Sequence, residues 1–464
     1  MGSRLRAVVL VGLLAFACLG APIEAQAFFF GGVTIKDEKE MGRKFDATVR
    51  AKLPVIDDPE ISSYVASLLA RLVHTLPPQP FSFKSTVLLN NTMNAFAVPG
   101  GYVYVLTGLI MRFDSEAELA GVLAHELAHV TQRHVASRLE RAQYTTFGSL
   151  LLAVAGVVLG GPGGGALAVG AMGAGQSAML NYSRMDENEA DQIGLQYLCK
   201  AGLDPKGMVE AFKVLRQKSR MSGSQIPTYL STHPALGDRI TGLSARIAHL
   251  PKEIRTRTSD NHRFLRVQTL LWARYGDAQA AMQRFRGNDA LSLMGQGIVL
   301  ARQNSVGKAQ EAFSRALASA PTDSLILREA GAFHYRKGNL RESEGLLRRA
   351  LASNPSDYMA SFYLGRLLAD SGDHAKAIAY FRDVLLKVPQ ESEVHEAYAR
   401  ALSGQGQTAR AFVHMALAAI YAGDKKKAEQ YCQKAKSLAR SDEDKRKVRQ
   451  LEQVYSEYKT LWKR

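Results

Sequence analysis

Cysteine is scarce in this sequence: 464 residues contain three, Cys18, Cys199 and Cys432. That excludes a disulfide-dense scaffold and a zinc site built from four thiolates. Long apolar runs are missing as well. The stretch Ala7–Gly20 has 14 residues, short of the ~20 that a bilayer-spanning helix needs. A shortage of hydrophobic residues is not seen: 46% are hydrophobic and 22% charged, which argues against wholesale disorder. At ~150 residues per domain the length suggests two or three domains, each able to bury a core without staples. The net charge is +16, and residues 259–464 hold most of it, with 33 Lys and Arg against 22 Asp and Glu.

Arg4 and Arg6 precede the first apolar stretch, and Ala25-Gln26-Ala27 follows it. A basic end, a short apolar core and a small-x-small site are the parts of a secretory signal peptide. The expectation is a leader over 1–27, cleaved after about Ala27, and a mature chain in a bacterial periplasm. An uncleaved anchor is the alternative. Residues 144–183 carry no charged side chain and are split by glycines at 160–165. Each half is too short to cross a bilayer comfortably. A buried or surface-lying helical hairpin beside the active site is expected, with a membrane-dipping element and a two-pass hairpin as alternatives. Cys199 and Cys432 read either as a disulfide or as two buried free thiols.

Residues 28–258 read as one mostly helical α+β domain. Asp57-Asp58-Pro59 starts an apolar-periodic helix that ends before Pro77-Pro78. Strands are expected near 81–88, at 95–98 and at 102–105, with Pro99-Gly100-Gly101 turning the chain between the last two. Ser115 to Glu118 spells a capping box and opens a helix expected to reach about His134. Residues 259–464 read as an all-α repeat. Gly297, Gly331 and Gly365 recur every 34 residues, as do Ala309, Ser343 and Ala377, and Pro321, Pro355 and Pro389. Phe313, Leu347 and Phe381 keep the same period. That is the tetratricopeptide pattern: paired helices approach over small residues, and a large apolar side chain fills the groove. Three units are clear, a fourth starts near Ser392, 259–289 supplies leading helices, and 425–462 supplies closing ones.

The chemistry is concentrated in His125-Glu126-Leu127-Ala128-His129. Residues i and i+4 share a helix face, so both imidazoles can reach one ion. Glu126 points toward the adjoining side, where it can take a proton from an activated water. One zinc ion suits two imidazoles and a carboxylate, with a fourth position left for water. The apolar flanks imply a buried helix, and buried histidines need partners. His134 is five residues beyond His129, off the shared face, and reads as structural. The carboxylate is sought in Glu187-Asn188-Glu189-Ala190-Asp191. Glu187 and Asp191 share a face, so one can bind the metal while the other orients a ligand histidine. Spacing favours Glu187 over Glu189 without excluding the latter.

Residues 94–108, His125 to His129 and Ser183 to Asp191 together resemble the gluzincin family of CAAX prenyl protease and HtpX-type endopeptidases. The leader and the repeat tail resemble its periplasmic branch, which acts in outer-membrane protein assembly and quality control. The resemblance implies His125, His129 and Glu187 as zinc ligands, Glu126 as general base and Asp191 as the partner behind a ligand. It also points to Thr232-His233-Pro234 and Arg239. His233 would donate to the oxyanion with support from Arg239, or else fill the open zinc position and hold the enzyme latent. Ala95, Phe96 and Ala97 resemble the edge strand that pairs with an extended substrate. The expected function is a zinc endopeptidase that degrades misfolded or stalled clients recruited by its repeats. Expected partners are unfolded or misassembled outer-membrane proteins and their assembly machinery, with possible membrane-surface contact by 144–183. A chaperone or adaptor with a latent site, and a membrane-embedded protease, are the alternatives. Short basic runs such as Lys425-Lys426-Lys427 read as a solvated face, so no nucleic acid is expected.

Overall fold

A computed structural model describes residues 32–141, 182–221, 229 and 232–462. The expected leader and the uncharged stretch up to residue 181 lie outside the described residues. Among the described helices, none is long and apolar enough to cross a membrane.

Helix α1 (Ile35–Lys52) opens on a reciprocal cap, Thr34 with Asp37, and α2 (Pro59–Val73) on Asp58, whose carboxylate accepts from the Glu60 and Ile61 N–H groups. Proline at the first helical position loses no hydrogen bond there. Ile61, Tyr64, Val65, Leu68 and Leu72 form the buried stripe that the sequence period predicts. Strand β1 (Lys84–Leu88) begins three residues later than the apolar pattern suggests, because Phe81 is buried in the lead-in. It pairs in parallel with β3 (Tyr102–Leu106), which pairs antiparallel with β2 (Ala95–Val98), giving the order β1-β3-β2. β2 is therefore an edge strand. Gly100 and Gly101 turn the chain with φ of 87° and 90°, and a Cβ on Gly100 would lie 2.8 Å from the Glu38 carbonyl oxygen.

After α3 (Thr107–Arg112), helix α4 (Glu116–Thr131) runs through the centre of the domain, buried from Ala117 to Val130. The Ser115 hydroxyl caps it at the Glu118 N–H, but the Glu118 carboxylate reaches back to the Asp114 N–H. The helix ends at Thr131, short of His134. Arg133 adopts φ 54°, and α5 (His134–Arg141) starts afresh. Helices α6 (Arg184–Lys200) and α7 (Lys206–Met221) pack against α4, and α8 (Leu236–Ala248) packs against both. A Cβ on Gly121 would meet Met208 Cα at 2.5 Å, so α4 and α7 can approach this closely only over glycine.

The C-terminal part is a stack of antiparallel helices. α9 (His262–Tyr275) and α10 (Ala278–Arg284) lead in. Four pairs follow: α11 (Ala290–Arg302) with α12 (Val306–Ser319), α13 (Ser324–Arg336) with α14 (Leu340–Ser353), α15 (Tyr358–Asp370) with α16 (His374–Leu385), and α17 (Ser392–Gly404) with α18 (Thr408–Tyr421). α19 (Lys425–Leu438) and α20 (Asp442–Trp462) close the stack. A Cβ on Gly297, Gly331 or Gly365 would lie 2.9–3.0 Å from Phe313, Leu347 or Phe381 respectively. The columns of the repeat are thus the contact points between its helices. Cys199 on α6 and Cys432 on α19 are free thiols.

The two parts meet along α2 and α9. Arg328, fully buried, pairs with Asp58, Glu329 and Asp357, and Arg274 bridges Asp58 and Glu329. Gln268 and Trp272 of α9 donate to the carbonyls of Met111 and its neighbours at the end of α3.

Candidate metal centre

Helix α4 places His125 and His129 one turn apart, both buried. Their Nε2 atoms are 3.0 Å apart. α6 brings Glu187 to them: its carboxylate oxygens lie 3.6 Å from His125 Nε2 and 3.4 Å from His129 Nε2. The segment leading into α8 adds His233, with Nδ1 3.3 Å from His125 Nε2 and 2.9 Å from Glu187 Oε1. One donor atom from each of the four lies within 4.8 Å of every other. Glu189, the other carboxylate left open by spacing, turns away and is half-exposed.

The hydrogen bonds behind these groups set their tautomers. Asp191 Oδ1 lies 3.0 Å from His125 Nδ1, so that nitrogen carries the proton and Nε2 keeps its lone pair. Behind His129 stands His134, with the two Nδ1 atoms 2.8 Å apart. The far nitrogen of His134 faces Glu189 at 3.3 Å and donates there, so His134 accepts from His129 Nδ1. His129 Nε2 is then also unprotonated. Two imidazole lone pairs and a carboxylate converge, a donor set that a cation satisfies, with His233 and the Arg239 guanidinium also reaching Glu187. The donor set therefore fits a metal ion.

Burial dominates the titration of this cluster. It drives His125 below its ordinary pKa and His129 well below, keeping both imidazoles neutral. Glu187 is equally desolvated, yet His233 and Arg239 outweigh burial and hold its carboxyl well below the usual range. Burial pushes Glu126 up to about 7. Its Oε1 lies 3.5 Å from His233 Nε2, and its Oε2 accepts from the Ala97 N–H at 3.2 Å. The edge strand is thus tied to Glu126 through Ala97. Ala95 is buried, and Phe96 turns the other way to stack on Tyr104 at 5.0 Å.

Arg239 is placed differently from the expectation that it supports His233. Its guanidinium forks onto Asp191 at 2.8 and 2.7 Å and pairs with Glu187. It meets His233 only through that shared glutamate. Sequence reasoning reads His134 as structural without showing its place behind His129, and it passes over Tyr182 and Tyr229. His134 reaches His129 because the chain reverses at Arg133, which spacing along one unbroken helix conceals. Tyr182 stacks on His129 at 3.8 Å, and Tyr229 stacks on His233 at 4.4 Å. The tyrosine four residues before His233 was visible, but no periodic pattern singled it out.

Residues 57–247 match the model of peptidase family M48, and residues 273–324, 334–392 and 409–442 match models of the tetratricopeptide repeat. The beta-barrel assembly-enhancing protease of Escherichia coli (strain K12) is 32% identical over 245 residues, 51% of this chain and 49% of that protein. Its namesake in Yersinia pestis is 34% identical over the same shares. A mitochondrial metalloendopeptidase of Arabidopsis thaliana is 35% identical over 154 residues, 33% of this chain and 29% of its own. The chain spans about half the length of the beta-barrel assembly-enhancing proteases it matches. Residues 57–247, which hold the buried His-Glu-x-x-His helix and the carboxylate brought to it by α6, thus match a peptidase family M48 domain, and tetratricopeptide-repeat matches follow in the helical stack.

Proposed function

We propose that this chain is a periplasmic zinc endopeptidase that acts in outer-membrane protein assembly and quality control, with residues 28–258 as the peptidase and 259–464 as the repeat domain. The observation that carries the reading is the convergence of two imidazole Nε2 atoms, 3.0 Å apart, with Glu187. His125, His129 and Glu187 would hold the ion. Imidazole and carboxylate donors in that number suit zinc. When bound, zinc supplies Lewis-acid activation of a water and of the scissile carbonyl.

The chain's own groups do the rest. Glu126 takes a proton from the attacking water and delivers it to the leaving amine. Its raised pKa, about 7, suits both halves of that transfer. Asp191 keeps the His125 proton on Nδ1, and Arg239 holds Asp191 and Glu187 in place. The outer edge of β2, at Ala95 to Ala97, offers to an extended substrate the backbone groups that Glu126 does not already hold. His233 stabilises the oxyanion in an open site or blocks the fourth position in a resting one. Its Nδ1 lies among the ligand atoms, which favours the resting form and supports a second reading, a client-binding adaptor with a latent protease. The repeats would recruit unfolded or misassembled outer-membrane proteins or their assembly machinery. The names of the Escherichia coli and Yersinia pestis relatives support that client class.

The deciding experiment measures metal content and cleavage of an unfolded outer-membrane protein by wild type, Glu126→Gln and His233→Ala. The peptidase reading expects zinc near one per chain in wild type and no cleavage by Glu126→Gln. Cleavage by Glu126→Gln at the wild-type rate overturns it. Faster cleavage by His233→Ala indicates a latch, and slower cleavage an oxyanion role. Alkaline carbonate washing would release the mature chain from membranes; retention would favour a membrane-embedded form.

A further inference from the structure

The repeat stack holds a second site, away from the metal centre. Where α13, α15 and α17 follow one another, an open cavity of about 260 Å³ lies between them and the start of α16. Tyr335, Arg366, Asp370, His374, Phe381 and Arg400 line it, with alanines between. Its acids are engaged. Asp370 accepts from the Tyr335 hydroxyl, and Glu393 at the rim takes Arg366 at 2.9 Å. Its cations keep donors to spare. Arg366 is held flat, its guanidinium 5.1 Å from the Tyr335 ring centre and 5.7 Å from that of Phe362, with one nitrogen on Glu393. Arg400 is exposed, and no hydrogen bond or ion pair engages it among the described residues. His374 Nδ1 is buried in the wall without a hydrogen-bond partner among the described residues. A buried polar atom left unpaired costs free energy unless a ligand completes it.

Arg366 and Arg400 are 34 positions apart, one repeat length, so they occupy the same place on α15 and α17. Neighbouring packed helices lie about 8–10 Å apart, and an extended polyproline II chain has three residues per turn and rises about 3.1 Å per residue, so its residues i and i+3 share a face about 9 Å apart. Two guanidinium groups at that interval match two carboxylates about three residues apart. We propose that this cavity binds an extended acidic peptide segment, one side-chain carboxylate on Arg366 and the next on Arg400. The proposal deepens the recruitment role above by naming what the repeats read: internal acidic residues in an unfolded chain.

The test uses the full mature chain carrying Glu126→Gln, so that peptides are not cut. Fluorescein-labelled decapeptides blocked at both ends carry two glutamates three residues apart, or two glutamines instead. A third peptide is the glutamine version with a free C-terminal carboxylate. Anisotropy at low salt should show the glutamate peptide binding at least tenfold more tightly than the glutamine one, with the ratio shrinking in 0.5 M salt. Arg400→Ala and Arg366→Ala should each weaken the glutamate peptide about fivefold or more while leaving the glutamine peptide unchanged. Arg400 is exposed, so its substitution leaves the helical circular dichroism intact. The comparison of peptides on the unsubstituted repeats decides the matter even if Arg366→Ala unfolds. Equal binding of the glutamate and glutamine peptides overturns the proposal. So does binding of the free-carboxylate peptide as tight as that of the glutamate peptide, which would mean capture of a chain end. Metal content and cleavage by wild type, measured in parallel, decide the peptidase reading independently.

Discussion

Glu187 and Glu189 stand two positions apart on α6 and end in different surroundings. Glu187 is buried against both imidazoles and Arg239, whereas Glu189 is half-exposed behind His134. Glu187→Ala should therefore strip the metal, read by plasma emission after gel filtration, and Glu189→Ala should leave it in place. Asp191→Asn should lower metal affinity 10- to 100-fold, because it loosens the hold on the His125 proton and removes a charge that Arg239 needs. Competition with a chelator of known affinity checks this, and unchanged occupancy would refute the role given to Asp191. Glu126→Gln should cost 10² or more in cleavage while metal content and melting temperature hold. His125 and His129 were legible from the sequence because a four-residue spacing on a helix fixes a shared face, and Glu126 because it adjoins the first of them. Glu187 was legible only as one of two.

The elements carry a different set of consequences. α4 is read correctly as a buried, capped helix, but its end is not, because the reversal at Arg133 depends on a φ of 54° that no local pattern announces. Arg133 is held there by the Glu38 carboxylate and the Val33 carbonyl, groups about a hundred residues away in sequence. The repeats are the opposite case. A column of glycines every 34 residues states both the period and the contact, since only a missing side chain lets Leu347 or Phe381 sit so close. Gly331→Ala should force Leu347 to shift and cost roughly 1–3 kcal/mol by overpacking. Differential scanning calorimetry would show this as a lowered melting temperature. No change would mean that Leu347 has room to move.

At the scale of the molecule, the two parts are joined by buried charge rather than by a flexible linker. Arg328 compensates Asp58 from α2 and Glu329 and Asp357 from the repeats. Burial alone would raise the carboxyls of Asp58 and Glu329, but Arg328 and Arg274 outweigh it and hold both below the usual range. Groups of that kind stabilise the fold above their unfolded pKa, and the contribution is lost as pH falls through the folded value. Arg328→Met should cost about 3–5 kcal/mol at neutral pH, since it leaves buried carboxylates short of a partner. The deficit should narrow as the pH is lowered toward 4, where those carboxyls can accept protons. Urea unfolding at pH 7 and pH 4.5 tests this, and a deficit that widens in acid would refute it.

The sequence by itself determined what depends on neighbours along the chain: a histidine pair one helical turn apart, an adjacent glutamate, and a repeat whose period is printed in its glycines. The tertiary structure decided what depends on segments far apart in sequence. It brought Glu187 rather than Glu189 to the histidine pair, set His233 against His125 from 108 positions beyond it, turned Arg239 onto the carboxylates, and placed His134 behind His129. Helical spacing governs which side chains share a face over a few residues. Which faces then meet is settled by packing, charge compensation and the need to pair every buried polar group, and those are properties of the whole fold.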